Sequence, residues 1–112
     1  MILAGSIPVG AMVQLTTADT DDILAGTKAA LDRASAEFAV GSRPEAALIF
    51  SCAVRKVVLG SRTQVAAELA RSVYGSSIPL AGLYCYGEIG PGRGGATSRF
   101  LTETFVTLLL GT

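Results

Sequence analysis

Residues 46–52, Ala-Ala-Leu-Ile-Phe-Ser-Cys, form a continuous apolar run directly behind a Gly41…Pro44 break. A strand written this way has no polar face to give to water, so it predicts a central strand covered on both sides. That strand organises the rest of the chain. Upstream, Asp19-Thr20-Asp21-Asp22 supplies acceptors for the unpaired N–H groups of a helix start and suits its positive end. The helix is expected from about Thr20 to Ala39, with Ile23, Thr27, Ala30, Leu31, Ala34 and Phe38 along one side. Before it, Val9, Ala11, Val13 and Leu15 alternate through Val9–Thr17, the period of a strand.

Downstream, Ser61 and Gln64 have the spacing of a capping box, with Thr63 as a competing cap. The helix they open carries Val65, Ala66, Leu69 and Val73 on its apolar side and stops at Gly75. Pro79–Tyr86 reads as a third strand and Phe105–Leu110 as a buried last one. Between them, Gly90–Ser98 carries four glycines and a proline and predicts a loop. The order is β-α-β-α-β-β. It predicts an α/β (α+β) fold of one domain over residues 1–112: a mixed four-stranded sheet with two main helices, parallel pairs with right-handed crossovers, and a closing antiparallel hairpin. Two helices on one side of such a sheet leave the other face in need of a cover.

At 112 residues the chain has the size of one core. Half of its residues are hydrophobic and 16% are charged. This is apolar enough to predict that part of the surface meets a partner or another copy. Nine basic and nine acidic side chains cancel and are scattered, so no cationic stripe exists to follow a phosphate backbone. The first residues, Met1–Ser6, lack the charged and long apolar parts of a secretion signal, and no apolar run reaches the length of a membrane span. These features predict a cytoplasmic domain that meets neither nucleic acid nor membrane. Cys52 and Cys85 are too few for a disulfide framework and are expected as reduced thiols.

Chemistry-bearing residues cluster just after the second and third strands. Cys52 and Arg55 follow one; Tyr86, Gly87 and Glu88 follow the other. Open α/β sheets bind ligands beyond the carboxyl ends of their strands. A guanidinium there can take a carboxylate in a two-pronged bond. With Glu88 at the same edge, the pair either grips both charged ends of an amino acid or braces two loops by pairing with each other. The chain has no histidine, so Cys52 and Cys85 lack the usual activating base, and no metal-ligand constellation is written in the sequence. No catalytic residue and no metal ligand is therefore expected, and an enzyme ranks last among the readings. The loop Pro91–Arg99 has a glycine-exposed backbone and two arginines but lacks the Gly-Lys-Ser/Thr ending of a phosphate-binding loop; it is expected as a hairpin tip.

Four segments taken together resemble the C-terminal domain of the FIST family. They are Leu48-Ile49-Phe50-Ser51-Cys52-Ala53-Val54-Arg55; Leu59-Gly60-Ser61-Arg62-Thr63; Ile78-Pro79-Leu80-Ala81-Gly82-Leu83-Tyr84-Cys85-Tyr86-Gly87-Glu88-Ile89-Gly90-Pro91; and Thr104-Phe105-Val106-Thr107-Leu108-Leu109-Leu110. The resemblance spans about residues 6–111. It implies a sensory module of prokaryotic signal transduction that binds a small molecule, amino acids and similar carboxylates among the candidates, and that normally follows an N-terminal FIST domain. Here the partners expected are a small-molecule ligand and either a homo-oligomer or that missing N-terminal domain. The alternative is an interaction or self-assembly module without a ligand. Phe100-Leu101-Thr102 stands where relatives often carry Phe-His-Asn. Some relatives are thought to bind haem, which needs an axial ligand, usually histidine; with none here, no cofactor is expected.

Overall fold

The computed structural model describes residues 6–91 and 97–112. The first helix, α1 (Thr20–Glu37), starts where the acidic residues predict. Asp19 caps it, its Oδ1 accepting the N–H groups of Asp21 and Asp22 at 2.9 Å, while Asp22 Oδ2 accepts the N–H of Asp19 at 3.1 Å. This reciprocal arrangement satisfies donors that the first turn cannot satisfy itself. Leu24, Thr27 and Leu31 form the buried side of α1.

Strand β1 (Pro44–Cys52) is central, as its apolar sequence predicts, but the cover expected on both of its faces is supplied by helices on one face only, because the chain has only one layer of helices to give. It runs parallel to β2 (Leu80–Cys85) and antiparallel to β5 (Phe105–Gly111), giving a mixed sheet of order β2-β1-β5. Helix α3 (Thr63–Tyr74) provides the crossover from β1 to β2 and ends at Gly75, whose φ of 96° would strain any other residue. A short hairpin of β3 (Glu88–Gly90) and β4 (Arg99–Leu101) lies outside the sheet.

The helices α1 and α3 cover one face only. Leu31 from α1, Ala70 and Tyr74 from α3, Ala47 from β1 and Leu109 from β5 make the core, with Ile49, Leu80 and Phe105 packed around it. The Tyr74 hydroxyl is satisfied by Thr107 Oγ1 at 3.0 Å. The opposite face presents Leu48, Phe50, Val106, Leu108 and Leu83, which register and alternation place together. It carries no helix among the described residues, and Leu83 and Leu108 are about half exposed there. The molecule measures 48 × 34 × 19 Å, and its thinnest dimension suits one sheet and one layer of helices.

The single mixed α/β domain stands, but four expectations are corrected. First, Val9–Thr17 forms no strand: residues 9 and 10 form a turn, and residues 11–19 are exposed and unpaired, with Val9, Met12 and Leu15 open to solvent. Alternation states what a strand needs, yet a strand exists only beside a hydrogen-bonding neighbour, and this segment pairs with neither of the open edges, β2 and β5. Among the described residues the main sheet therefore has three strands, and the element order is α-β-α-α-β-β-β-β. Second, β5 pairs with β1 rather than with the preceding long strand. Pairing with β1 puts β5 against the central strand but leaves it at the sheet edge, so the strand expected to be buried is only partly so: Leu109 is buried, whereas Leu108 and Leu110 are nearly half exposed. Third, the Ser61/Gln64 box does not form. The segment after Cys52 becomes a short helix, α2 (Ala53–Leu59), and a 3-10 turn at Gly60–Arg62 leads directly into α3. Thr63 Oγ1 instead donates to the Gly60 carbonyl at 3.1 Å. Fourth, Gly90 belongs to β3 rather than to the loop. The middle of that loop, 92–96, and the leader reading at 1–5 lie outside the described residues.

Candidate functional site

The final paired residues of the parallel strands β1 and β2 are Cys52 and Cys85. The chain turns after each. In both cases the third residue beyond the cysteine is charged and turned inward: Arg55 on α2 and Glu88 at the start of β3. Arg55 is 7% exposed and Glu88 is 5% exposed. The rim is fastened from a third side by β5, because the Cys52 N–H donates to the Thr104 carbonyl at 3.0 Å.

Arg55 reaches under α1. Its Nη2 donates to Thr27 Oγ1 and, at 3.3 Å, to the Ile23 carbonyl. Thr27 Oγ1 in turn donates to that same carbonyl at 2.9 Å. The guanidinium lies 5.4 Å from the centroid of the Phe105 ring, a cation–π distance. Its Nε is buried without an acceptor, and among the described residues no carboxylate forms an ion pair with it. Burial lowers the pKa of Arg55, with the nearby Tyr84, Cys52 and Glu88 acting in the other direction. An arginine does not lose its proton on that account. The result is a buried cation held by neutral partners and a ring face.

Glu88 is held differently. Thr104 Oγ1 donates to its Oε2 at 2.5 Å, and the Cys85 thiol donates to its Oε1 at 3.1 Å. Desolvation first, and then this bond and the Glu88 charge, push the Cys85 thiol pKa up. That is the opposite of the shift that activates a nucleophilic cysteine. A Cβ at Gly87 would meet the tip of the exposed Phe100 ring, which would have to swing aside. Tyr86, 91% exposed, stands at the outside of the rim. Cys52, Arg55 and Glu88 are thus brought to one end of the sheet, Arg55 and Glu88 without a direct bond, and Tyr86 and Gly87 form the turn beside them.

A cleft of about 240 Å³ opens between α3 and the edge strand β2, with Ser51, Thr63, Ala66, Gly82, Tyr84 and Phe105 among its lining. Phe105 faces this cleft and also carries the Arg55 guanidinium. Lys56 lies 5.3 Å from the centroid of the Tyr84 ring at the same end. The sequence reading overlooked Ser51, Tyr84 and Phe105. One signal was present: a glycine inside a strand marks close approach of another backbone, and a Cβ on Gly82 would collide with the Ile49 carbonyl. Among the described residues, no group of His, Cys, Asp and Glu can hold a metal, and no helix is long and apolar enough to cross a membrane.

No curated protein and no solved structure matches the chain. The model of the FIST C domain family matches residues 1–91, from the segment before α1 through β3 and Glu88. The stretch 104–110, which contributed to the resemblance, lies beyond the match. With the match covering most of the chain and both strand-end motifs, Cys-Ala-Val-Arg and Cys-Tyr-Gly-Glu, the chain belongs to the FIST C domain family.

Proposed function

We propose that this domain senses a small carboxylate, an amino acid or a close analogue, at the rim built by Cys52, Arg55, Tyr86, Gly87 and Glu88. FIST C domains are sensory domains of signal-transduction proteins. The observation that carries the finer reading is the buried guanidinium that no carboxylate touches, Glu88 acting on it only from beyond ion-pair distance. A buried charge without a contacting counter-charge is among the costliest features a small domain can hold. An anion is the species that removes the cost, and a carboxylate matches the planar donor fork. Glu88, close enough to influence Arg55 electrostatically, offers a negative oxygen to an ammonium group. Binding would act by stabilising one arrangement of the rim over another. The two free thiols suit a reducing, cytoplasmic setting.

Isothermal titration of the folded domain against a panel of amino acids and simple carboxylates tests this. At least one member is expected to bind, and Arg55→Gln is expected to weaken that binding about 10-fold or more, the range for losing a charge-assisted bond. A panel without any binder, or a binder indifferent to Arg55→Gln, overturns the reading. The bare apolar face of the sheet favours a second role, self-assembly, alongside sensing.

A further inference from the structure

The segment ahead of α1 and the edge of β5 are complementary parts that do not meet within one molecule. Residues 11–19 of this arm are exposed and belong to no helix or strand; Val9 and Gly10 form a turn before them, and in sequence Ala11, Val13 and Leu15 alternate with the period of a strand. In the arm, the backbone bonds among described residues are local, Ala11 N–H to the Pro8 carbonyl and Asp19 N–H to Asp22. On the body, β5 is an edge strand, so one row of its N–H and C=O groups has no strand beside it. A groove of about 240 Å³ lies among α1, the start of β5 and the β3–β4 hairpin, lined by Ala30 and Ala34 with Arg33 and Glu37 on the helix side, by Val106 and Thr107 on the strand and by Gly90 and Leu101 on the hairpin.

Chirality points to the same edge. With α1 on the α3 side of the sheet, a strand that enters β1 through α1 by a right-handed crossover falls beyond β5, antiparallel to it. The slot the arm's alternation calls for is therefore the β5 edge, beside which no strand lies among the described residues.

We infer that the arm fills this slot in a second copy of the chain, reciprocally, giving a closed two-fold dimer in which each three-stranded sheet gains a fourth strand. The surface area supports a copy as the occupant. The chain exposes 8014 Å², whereas a folded monomer of 11.5 kDa exposes about 5,800 Å². The excess, about 2,200 Å² per chain, is what an intimate homodimer buries. A net charge of zero puts no electrostatic barrier between copies. Exchange of identical elements also closes on itself, so two arms satisfy two edges and no filament forms. This deepens the self-assembly reading and does not depend on any ligand.

Light scattering on the eluting full chain, with hydrogen exchange on the arm, tests it. A dimer is expected, with arm amides and the edge amides of β5 both protected. The paired change Val13→Asp with Leu15→Asp is expected to weaken dimerisation at least about 100-fold while the far-ultraviolet circular dichroism of the body is kept. A monomer, with the arm unprotected or folded onto its own β5, overturns both self-assembly and the exchange. A dimer that survives the paired change, or removal of residues 6–17, overturns the exchange alone. Should the paired variant fail to fold, that removal decides, since the arm contributes nothing to the core described above.

Discussion

Arg55 shows how much one side chain can hold. It lies on a helix of only seven residues, yet its Nη2 ties that helix to α1 through Thr27 and Ile23, and its face rests on Phe105 of β5. Thr27 is fully buried, and its hydroxyl is both the acceptor for Arg55 and a donor to Ile23. Thr27→Val keeps the shape and removes the hydroxyl. It is expected to cost about 1–3 kcal/mol in urea denaturation, since a buried charged donor loses its nearest acceptor; Thr27→Ser should recover most of that. Little of this was legible in advance. The sequence marks Arg55 and Glu88 as polar residues just past strand ends, which places them at one rim. It leaves open whether they meet each other, and they do not: each takes neutral partners from elsewhere in the chain. Local pattern carries no record of a contact between residues 27 and 55.

At the scale of elements, the parts most visible in sequence are those whose local chemistry and tertiary role agree. The capped α1, the apolar β1 and the Gly75 stop are of this kind. Asp19→Ala removes the acceptor for two N–H groups and should lower stability by about 0.5–2 kcal/mol, read as a lower urea midpoint with an unchanged slope. Helix α2 is the opposite case. Its Ala-Val-Arg-Lys-Val-Val-Leu sequence is rich in β-branched residues, which lean away from helix. Tertiary contacts override that preference, because helical spacing turns Arg55 and Leu59 inward together. The arm fails in the other direction: its strand pattern is clear and its neighbour is missing within the chain.

For the whole molecule, two weak acids, the buried Tyr74 and the partly buried Cys85, shape the response to alkali. Cys85 and Tyr74 both have raised pKa values, in each case with desolvation as the leading cause. The folded state keeps protons that the unfolded chain gives up, so unfolding releases protons and stability falls as pH rises. The loss begins near the ordinary thiol value of about 8.5 for Cys85 and near about 10 for Tyr74. Urea midpoints measured from pH 7 upward should decline through that window. Cys85→Ala should flatten the lower part of the decline and Tyr74→Phe the upper part; an unchanged profile in both variants would contradict these assignments.

The bond from Arg55 to the Ile23 carbonyl has a mechanical reading. Ile23 also donates its N–H to the Asp19 carbonyl, so the guanidinium grips the opening turn of α1, the hinge from which the N-terminal arm departs. A molecule that draws the guanidinium outward must loosen that turn. By reciprocity, anything that pulls the arm taut must alter how readily the guanidinium is released.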